Sequence, residues 1–231
     1  MTVAALIVAA GQGLRMGSDR RKQYLDLAGR PILAHTVEAF CAVSEVDLIL
    51  LAVPAEEIDY CRNRIIRSLA GTKQIRLVPG GERRQDSVRN GLASLGADGP
   101  IVLIHDGVRP LVRPSLIVAC IEGARKWGAC IPALEVTDTL KKADGTGTIL
   151  HTVPRGGLYA AQTPQAFQTE LILQAHRRAV QEGWQATDDA SLVERMGIAV
   201  HIIPGSRSNI KITLPEDLQW ANMLLAFKAQ D

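Results

Sequence analysis

Hydrophobic positions along the chain fall in short continuous runs separated by segments with helical spacing. Apolar, β-branched-rich runs at Val3 to Val8, Val46 to Val53, Ile75 to Val78, Ile101 to Ile104, Ala129 to Leu134 and Ala199 to Ile203 predict strands. Between them, Pro31 to Cys41, Glu56 to Leu69, Asp86 to Leu95 and Pro114 to Trp127 carry the helix period. Strands that alternate with helices need crossover connections, so the expected fold is α/β, a mostly parallel sheet covered on both faces. Pro31, Pro114 and Pro215 stand where helices would begin, a position proline favours. On such sheets ligands gather outside the carboxyl ends of the strands, where the loops after Val8, Val78 and Ile104 converge.

One stretch departs from this pattern. Residues Thr137 to Val153 alternate polar and apolar positions around Asp144-Gly145, which predicts a hairpin rather than a crossover helix. Its edges and apolar face would be exposed if it projected from the body, and packing against a second copy would cover them. The whole chain, 1–231, is expected to form one domain, with 137–160 as a projecting arm.

Composition narrows the class without naming the chemistry. With 231 residues, 47% of them hydrophobic, the chain is large enough to bury a substantial core. A net charge of +2, from 26 basic and 24 acidic residues, gives no overall basic field, so nucleic acid is not an expected partner. Charge is concentrated locally. From Gly11 to Arg30, Arg15, Arg20, Arg21, Lys22 and Arg30 face only Asp19 and Asp26, a surplus suited to a small polyanion. Cys41, Cys61, Cys120 and Cys130 lack the spacing of a zinc or redox motif and read as reduced core residues. No leader pattern precedes the first strand and no apolar run approaches the ~18 residues needed to span a bilayer, so a cytoplasmic location without a membrane partner is expected.

Three segments carry candidate chemistry. After the first strand, Ala9-Ala10-Gly11-Gln12-Gly13-Leu14-Arg15-Met16-Gly17 combines a backbone able to approach an anion with a guanidinium that can fork onto phosphate. Met16 breaks the dinucleotide fingerprint, and no Gly-Lys-Ser/Thr closes a P-loop. Pro79 to Ser87 joins a strand end to a helix start through paired glycines, Glu82, Arg83 and Arg84, a segment able to wall a base. His105-Asp106-Gly107-Val108-Arg109-Pro110 places a carboxylate at a strand's carboxyl end. There it could hold Mg²⁺, which needs only one or two carboxylates when triphosphate oxygens complete its shell. Asp106 is also compatible with a turn or cap, and His105 is better read as a structural histidine than as a catalytic one.

These segments, together with Lys22-Gln23-Tyr24-Leu25, Thr163-Pro164-Gln165-Ala166-Phe167, Thr187-Asp188-Asp189-Ala190-Ser191 and Asn209-Ile210-Lys211-Ile212-Thr213, occur in an order that resembles the 2-C-methyl-D-erythritol 4-phosphate cytidylyltransferase family over nearly the whole chain. The resemblance implies a three-layer Rossmann-like nucleotidyltransferase fold. It also implies an enzyme of non-mevalonate isoprenoid precursor synthesis that joins CTP to methylerythritol phosphate and releases pyrophosphate, with Mg²⁺ or another divalent cation as cofactor.

Carried over residue by residue, the resemblance makes Arg15 and Lys22 the catalytic cations. It places CTP against Ala9, Ala10, Gly11, Gly13, Gly81, Glu82 and Ser87. It assigns Asp106, Arg109, Thr139, Arg155, Thr163, Thr187 and Lys211 to the second substrate, with Asp106 also at the metal and the hairpin carrying Arg155 to a partner subunit of a homodimer. Leu14 stands where some members have a second arginine, and Arg21 where a proline is common. The substrate phosphate is itself an anionic nucleophile, so such a transfer needs positioning and charge rather than a Ser, Cys or His nucleophile. A ribitol 5-phosphate cytidylyltransferase, whose loop usually reads Ala-Gly-Gly where this chain has Ala9-Ala10-Gly11, is the sister alternative, and a catalytically silent nucleotide-binding protein is the alternative outside the enzymes.

Overall fold

The structure, a computed structural model, describes residues 3–11, 20–69, 73–95 and 99–228. Strands β1 (Val3–Val8), β4 (Val46–Val53), β5 (Gln74–Pro79) and β6 (Ile101–Asp106) form a parallel block in the order β5-β4-β1-β6. Between β1 and β4 lie a two-stranded turn, β2 (Asp26–Leu27) with β3 (Arg30–Pro31), and helix α1 (Ile32–Cys41). Helix α2 (Ile58–Cys61) precedes β5, α3 (Arg84–Leu95) joins β5 to β6, and α4 (Pro114–Trp127) leads to β7 (Ala129–Glu135). The chain then runs through the hairpin β8 (Leu140–Ala143) and β9 (Ile149–Val153), then β10 (Tyr159–Ala161), β11 (Gln165–Gln168), α5 (Thr169–Gln181), α6 (Ala190–Arg195), β12 (His201–Pro204) and α7 (Pro215–Lys228).

Both faces are buried at the centre of the sheet, which is why β1 and β4 from Leu48 onward read as unbroken apolar runs. Val3, Ala5 and Ile7 of β1 pack on one side with Leu33, Val37 and Phe40 of α1 and Ile117, Cys120 and Ile121 of α4. Ala4 and Leu6 pack on the other with Val88 and Leu92 of α3, Ile172 and Ala175 of α5 and Leu192 of α6. The result is the expected helix, sheet, helix sandwich. A smaller cluster ties Leu218, Ala221, Leu224 and Leu225 of α7 to Leu27, Ile32, Val108 and Leu111.

Two elements differ from the periodicity. The single helix predicted over Glu56 to Leu69 is divided into a 3₁₀ turn, α2, a π turn at Arg62–Ile66 and a second 3₁₀ turn. Cys61, Ile65 and Leu69 are the residues it buries. A strict four-residue repeat drifts around an α-helix of 3.6 residues per turn, and the wider π turn keeps the three on one line. The second difference is β11, which lies antiparallel between β6 and β7. Its four residues, Gln165–Gln168, are too short for an alternation signal, yet Ala166 and Phe167 are fully buried.

The hairpin forms a separate two-stranded sheet. Its connection is longer than a two-residue turn: Asp144 N–H donates to Thr148 O at 3.0 Å, and the Asp144 carboxylate accepts from the N–H groups of Thr146 and Thr148. Ile149 and Leu150 stand well exposed on it, with Tyr159 exposed at its base. Pro114 and Pro215 are the first residues of their helices, and Pro31 directly precedes Ile32. Arg21 adopts φ −58°, the value a proline would impose, so its side chain substitutes for the ring without changing the backbone. No helix among the described residues is long and apolar enough to cross a membrane.

Candidate active site

The reversal of strand order beside β1 opens a cleft, since β1 pairs with β4 on one side and β6 on the other. Val8 and Asp106 are register partners, so the two chains leave the sheet side by side. Three backbone hydrogen bonds extend the ladder past the strand ends: Ala9 N–H to Ala52 O at 2.8 Å, Gly80 N–H to Val53 O at 2.7 Å and Gly107 N–H to Val8 O at 2.9 Å. They bring the loops after β1, β5 and β6 together.

The first of two adjoining cavities is lined by Ala9, Ala10, Gly11, Lys22, Gly81, Glu82, Arg84, Ser87, Asp106 and Lys211, with Val8, Gln23, Arg83 and Val108. Every described residue expected at CTP thus lies around one space; Gly13 and Arg15 lie outside the described residues. Close backbone approach shapes it. A Cβ on Gly80 would stand 2.2 Å from that of Ala10, and one on Gly81 2.4 Å from that of Asp86. The buried Ser87 hydroxyl accepts from Gly81 N–H at 3.0 Å and so fixes the second loop. The first is fixed by Gln23, 1% exposed, whose Nε2 donates to Ala9 O at 2.6 Å and Gly11 O at 3.2 Å.

The second cavity is lined by Arg84, Asp106, Arg109, Ala161, Gln162, Thr163, Gln165, Thr187, Asp188 and Lys211. Asp106, Arg109, Thr163, Thr187 and Lys211 are therefore brought together, whereas Thr139 and Arg155 of the hairpin region line neither cavity of their own chain. Arg155 donates instead to Thr137 O. Lys211 reaches the site because Ile212 N–H donates to Val108 O at 2.9 Å and the buried Asn209 amide to Thr163 O at 2.8 Å.

Arg84, Asp106 and Lys211 line both cavities. Asp106 Oδ1 accepts from Arg84 Nε at 3.0 Å, and Oδ2 meets Lys211 Nζ at 2.8 Å with Arg109 Nε at 3.7 Å. Burial raises the Asp106 pKa, but the charges of Arg84 and Lys211 outweigh it and hold the carboxyl well below the usual carboxylate range. With both carboxylate oxygens engaged by cations, a divalent ion beside Asp106 would draw most of its shell from phosphate oxygens. Among the described residues no group of three or more His, Cys, Asp or Glu could hold a metal. Asp106 thus gathers three cations, Arg84, Arg109 and Lys211. Arg109 Nε has no hydrogen-bond partner among the described residues, although its NH1 donates to Asn209 O at 2.7 Å.

His105 determines how Thr163 is presented. Burial lowers the imidazole pKa to about 3 against the opposing charge of Asp106, so the ring is neutral. Its Nε2 lies 3.2 Å from Arg109 O, which can only accept, so the ring proton is on Nε2. Nδ1 then accepts from the Thr163 hydroxyl at 2.9 Å, and that oxygen accepts from Asp106 N–H at 3.2 Å. The Thr163 hydroxyl hydrogen is committed inward, leaving only a lone pair for a substrate.

Arg84, Gln23, Gln165 and Asp189 matter to this geometry without having been assigned roles from sequence. Each falls inside one of the segments read from sequence, but their partners are 12 to 105 residues away, beyond any spacing rule.

The comparisons agree with the architecture. The model of the family "IspD: 2-C-methyl-D-erythritol 4-phosphate cytidylyltransferase" matches residues 3–226. A 2-C-methyl-D-erythritol 4-phosphate cytidylyltransferase of Pelotomaculum thermopropionicum is 47% identical over 223 residues, covering 96% of this chain and 94% of the relative. Another of the same name, from Syntrophotalea carbinolica, is 48% identical over 226 residues, 97% of each chain. The crystal structure of 4-diphosphocytidyl-2C-methyl-D-erythritol synthase from Anaerococcus prevotii superposes with a TM-score of 0.85 at 34% identity, covering 97% of this chain and 96% of that one. On sequence and fold together, the chain belongs to the IspD family of 2-C-methyl-D-erythritol 4-phosphate cytidylyltransferases.

Proposed function

We propose that the first cavity binds CTP, the second binds 2-C-methyl-D-erythritol 4-phosphate, and the transfer of the cytidylyl group occurs at the cationic wall they share. The observation that carries this assignment is that Arg84, Asp106 and Lys211 line both spaces, so two anionic substrates placed in them would meet there. The phosphate of the second substrate attacks the α-phosphorus of CTP in line, pyrophosphate departs, and 4-diphosphocytidyl-2-C-methyl-D-erythritol forms. No protein nucleophile is required.

The backbone beside Ala9, Ala10, Gly81 and Glu82 forms the base wall, with Ser87 holding it. Lys22 and Arg15 stabilise charge on the pentavalent phosphorus and on departing pyrophosphate. Arg109, Thr187 and Lys211 face the sugar phosphate, with Thr163 as an acceptor. Thr139 and Arg155 serve the site of a partner subunit in a homodimer; the exposed Ile149, Leu150 and Tyr159 support this, because apolar groups on a projecting hairpin favour burial. A divalent ion accompanying the triphosphate would take its ligands from the phosphates, since Asp106 is already engaged.

The test is pyrophosphate release from CTP with Mg²⁺ present, using methylerythritol phosphate and, in parallel, ribitol 5-phosphate. Release with the former alone is expected. Release with ribitol 5-phosphate alone would move the activity to the sister alternative, and CTP binding without release in either arm would overturn the catalytic assignment.

A further inference from the structure

The charges behind the shared wall continue past both cavities. Arg84 NH1 meets Asp189 Oδ2 at 2.7 Å, opposite its contact with Asp106. Asp189 is 1% exposed and lines neither cavity; its Oδ1 lies 3.1 Å from Nε2 of the buried His176. Its backbone is held as well, since the N–H groups of Asp189 and Ala190 donate to Gln165 Oε1 at 2.9 and 3.1 Å. Gln165 in turn donates to Asp188 Oδ2 at 2.8 Å, on the rim of the second cavity.

Arg84 thus stands between two carboxylates, and Asp106 between Arg84 and Lys211. If the Asp189 charge were absent, the guanidinium would keep one anionic partner and draw more strongly on Asp106. Lys211, the cation on the far side, would lose its share of that carboxylate. We propose that Asp189 is a positioning residue for the transfer: it neutralises Arg84 from behind, leaving Asp106 to hold Lys211 at the sugar-phosphate cavity. This rests on the assignment of the second cavity given above. A buried carboxylate is costly unless its charge is matched, and here the matching at Asp106 and Asp189 sets the aim of a cation two side chains away.

The experiment compares wild type with Asp189→Asn, which keeps the side chain's size and removes its charge. Expected is a rise of about tenfold or more in KM for methylerythritol phosphate, with KM for CTP changed by less than about twofold. Asp189→Glu should recover part of the loss. Equal rises in both KM values, or none in either, would overturn the proposal. If Asp189→Asn does not fold, Arg84→Lys serves in its place, because a single ammonium cannot span Asp106 and Asp189; an unchanged KM for the sugar phosphate then overturns it. A ligand-free readout separates this from the functional assignment. Hydrogen exchange at the Arg84 Nε–H, which donates to Asp106, followed by NMR without substrates, should slow in Asp189→Asn as that bond tightens, and unchanged or faster exchange overturns the positioning role. Absence of turnover by wild type would instead overturn the assignment of the cavity, with the exchange measurement still deciding the role of Asp189.

Discussion

Replacing His105 tests the wiring under the active site through a quantity that can be worked out beforehand. The ring is fully buried, tilted against Phe40 at a centroid distance of 4.9 Å, and hydrogen-bonded to Thr163 and Arg109 O. Its pKa is lowered from 6.5 to about 3, with burial the largest cause. Below pH 6.5 the unfolded chain therefore takes up a proton that the folded chain refuses, so stability falls as the pH falls, at about 1.4 kcal/mol per unit, until the folded pKa is reached. Between pH 7.5 and 5.0 this amounts to about 2 kcal/mol, or about 4–8 °C in Tm for a chain of this size. Asp106 and Asp189, both held below the usual carboxylate range, lose their contribution at still lower pH and do not enter this window.

His105→Asn removes the titration while offering an oxygen in place of Nδ1 as acceptor for Thr163. Urea denaturation of both proteins at pH 7.5, 6.5, 5.5 and 5.0 is the assay. The variant is expected to be less stable at pH 7.5 by about 1–3 kcal/mol, from the lost Arg109 contact and ring packing. The gap should then narrow by about 2 kcal/mol on going to pH 5.0. The other four histidines are common to both proteins and cancel. Parallel curves would refute the neutral buried ring, and with it the inward direction of the Thr163 hydroxyl.

Three further outcomes follow from the site. Lys22→Ala should lower kcat by about a hundredfold, equivalent to about 3 kcal/mol of barrier, while thermal unfolding stays near wild type; steady-state pyrophosphate release and a melting curve check both halves. Arg155→Ala should raise KM for methylerythritol phosphate by about tenfold with little change for CTP, and mixing it with an inactive Lys22→Ala protein should restore activity if the arm serves a partner's site. Gly80→Ala puts a methyl 2.2 Å from the Ala10 Cβ, so the loops must part: CTP affinity measured by calorimetry should fall and stability drop by about 1–3 kcal/mol.

The cavities also explain why so few side chains carry recognisable catalytic identities. The groups around them are mostly backbone atoms, cations and carboxylates paired with one another, a composition suited to charge stabilisation rather than to covalent or acid–base steps. Asp106 illustrates the difference between a residue type and its surroundings. At the end of β6 it is the carboxylate that a metal site would use, yet Arg84, Arg109 and Lys211 surround it.

The amino-acid sequence alone sets the α/β class, because strand segments buried on both faces must be apolar throughout, as Val3–Val8 and Leu48–Val53 are. It also determined the carboxyl-end loops and the hairpin, since glycine pairs and an Asp-Gly turn act on backbone conformation locally. The ordered segments carried the family, and with it the substrates. Tertiary structure alone decided what depends on distant partners. β11 is too short to show a period and takes its place by pairing with β6 and β7 and burying Ala166 and Phe167; the four-residue repeat at Cys61, Ile65 and Leu69 is buried in the core on the π turn. Amphipathic α5 buries Thr169, Ile172, Ala175, His176 and Ala179 at helical spacing, a signal legible in the sequence. Arg84 meeting Asp106 and Asp189, 22 and 105 residues away, had none, because an ion pair leaves no periodic trace in a sequence and exists only when the folded sheet brings its members together.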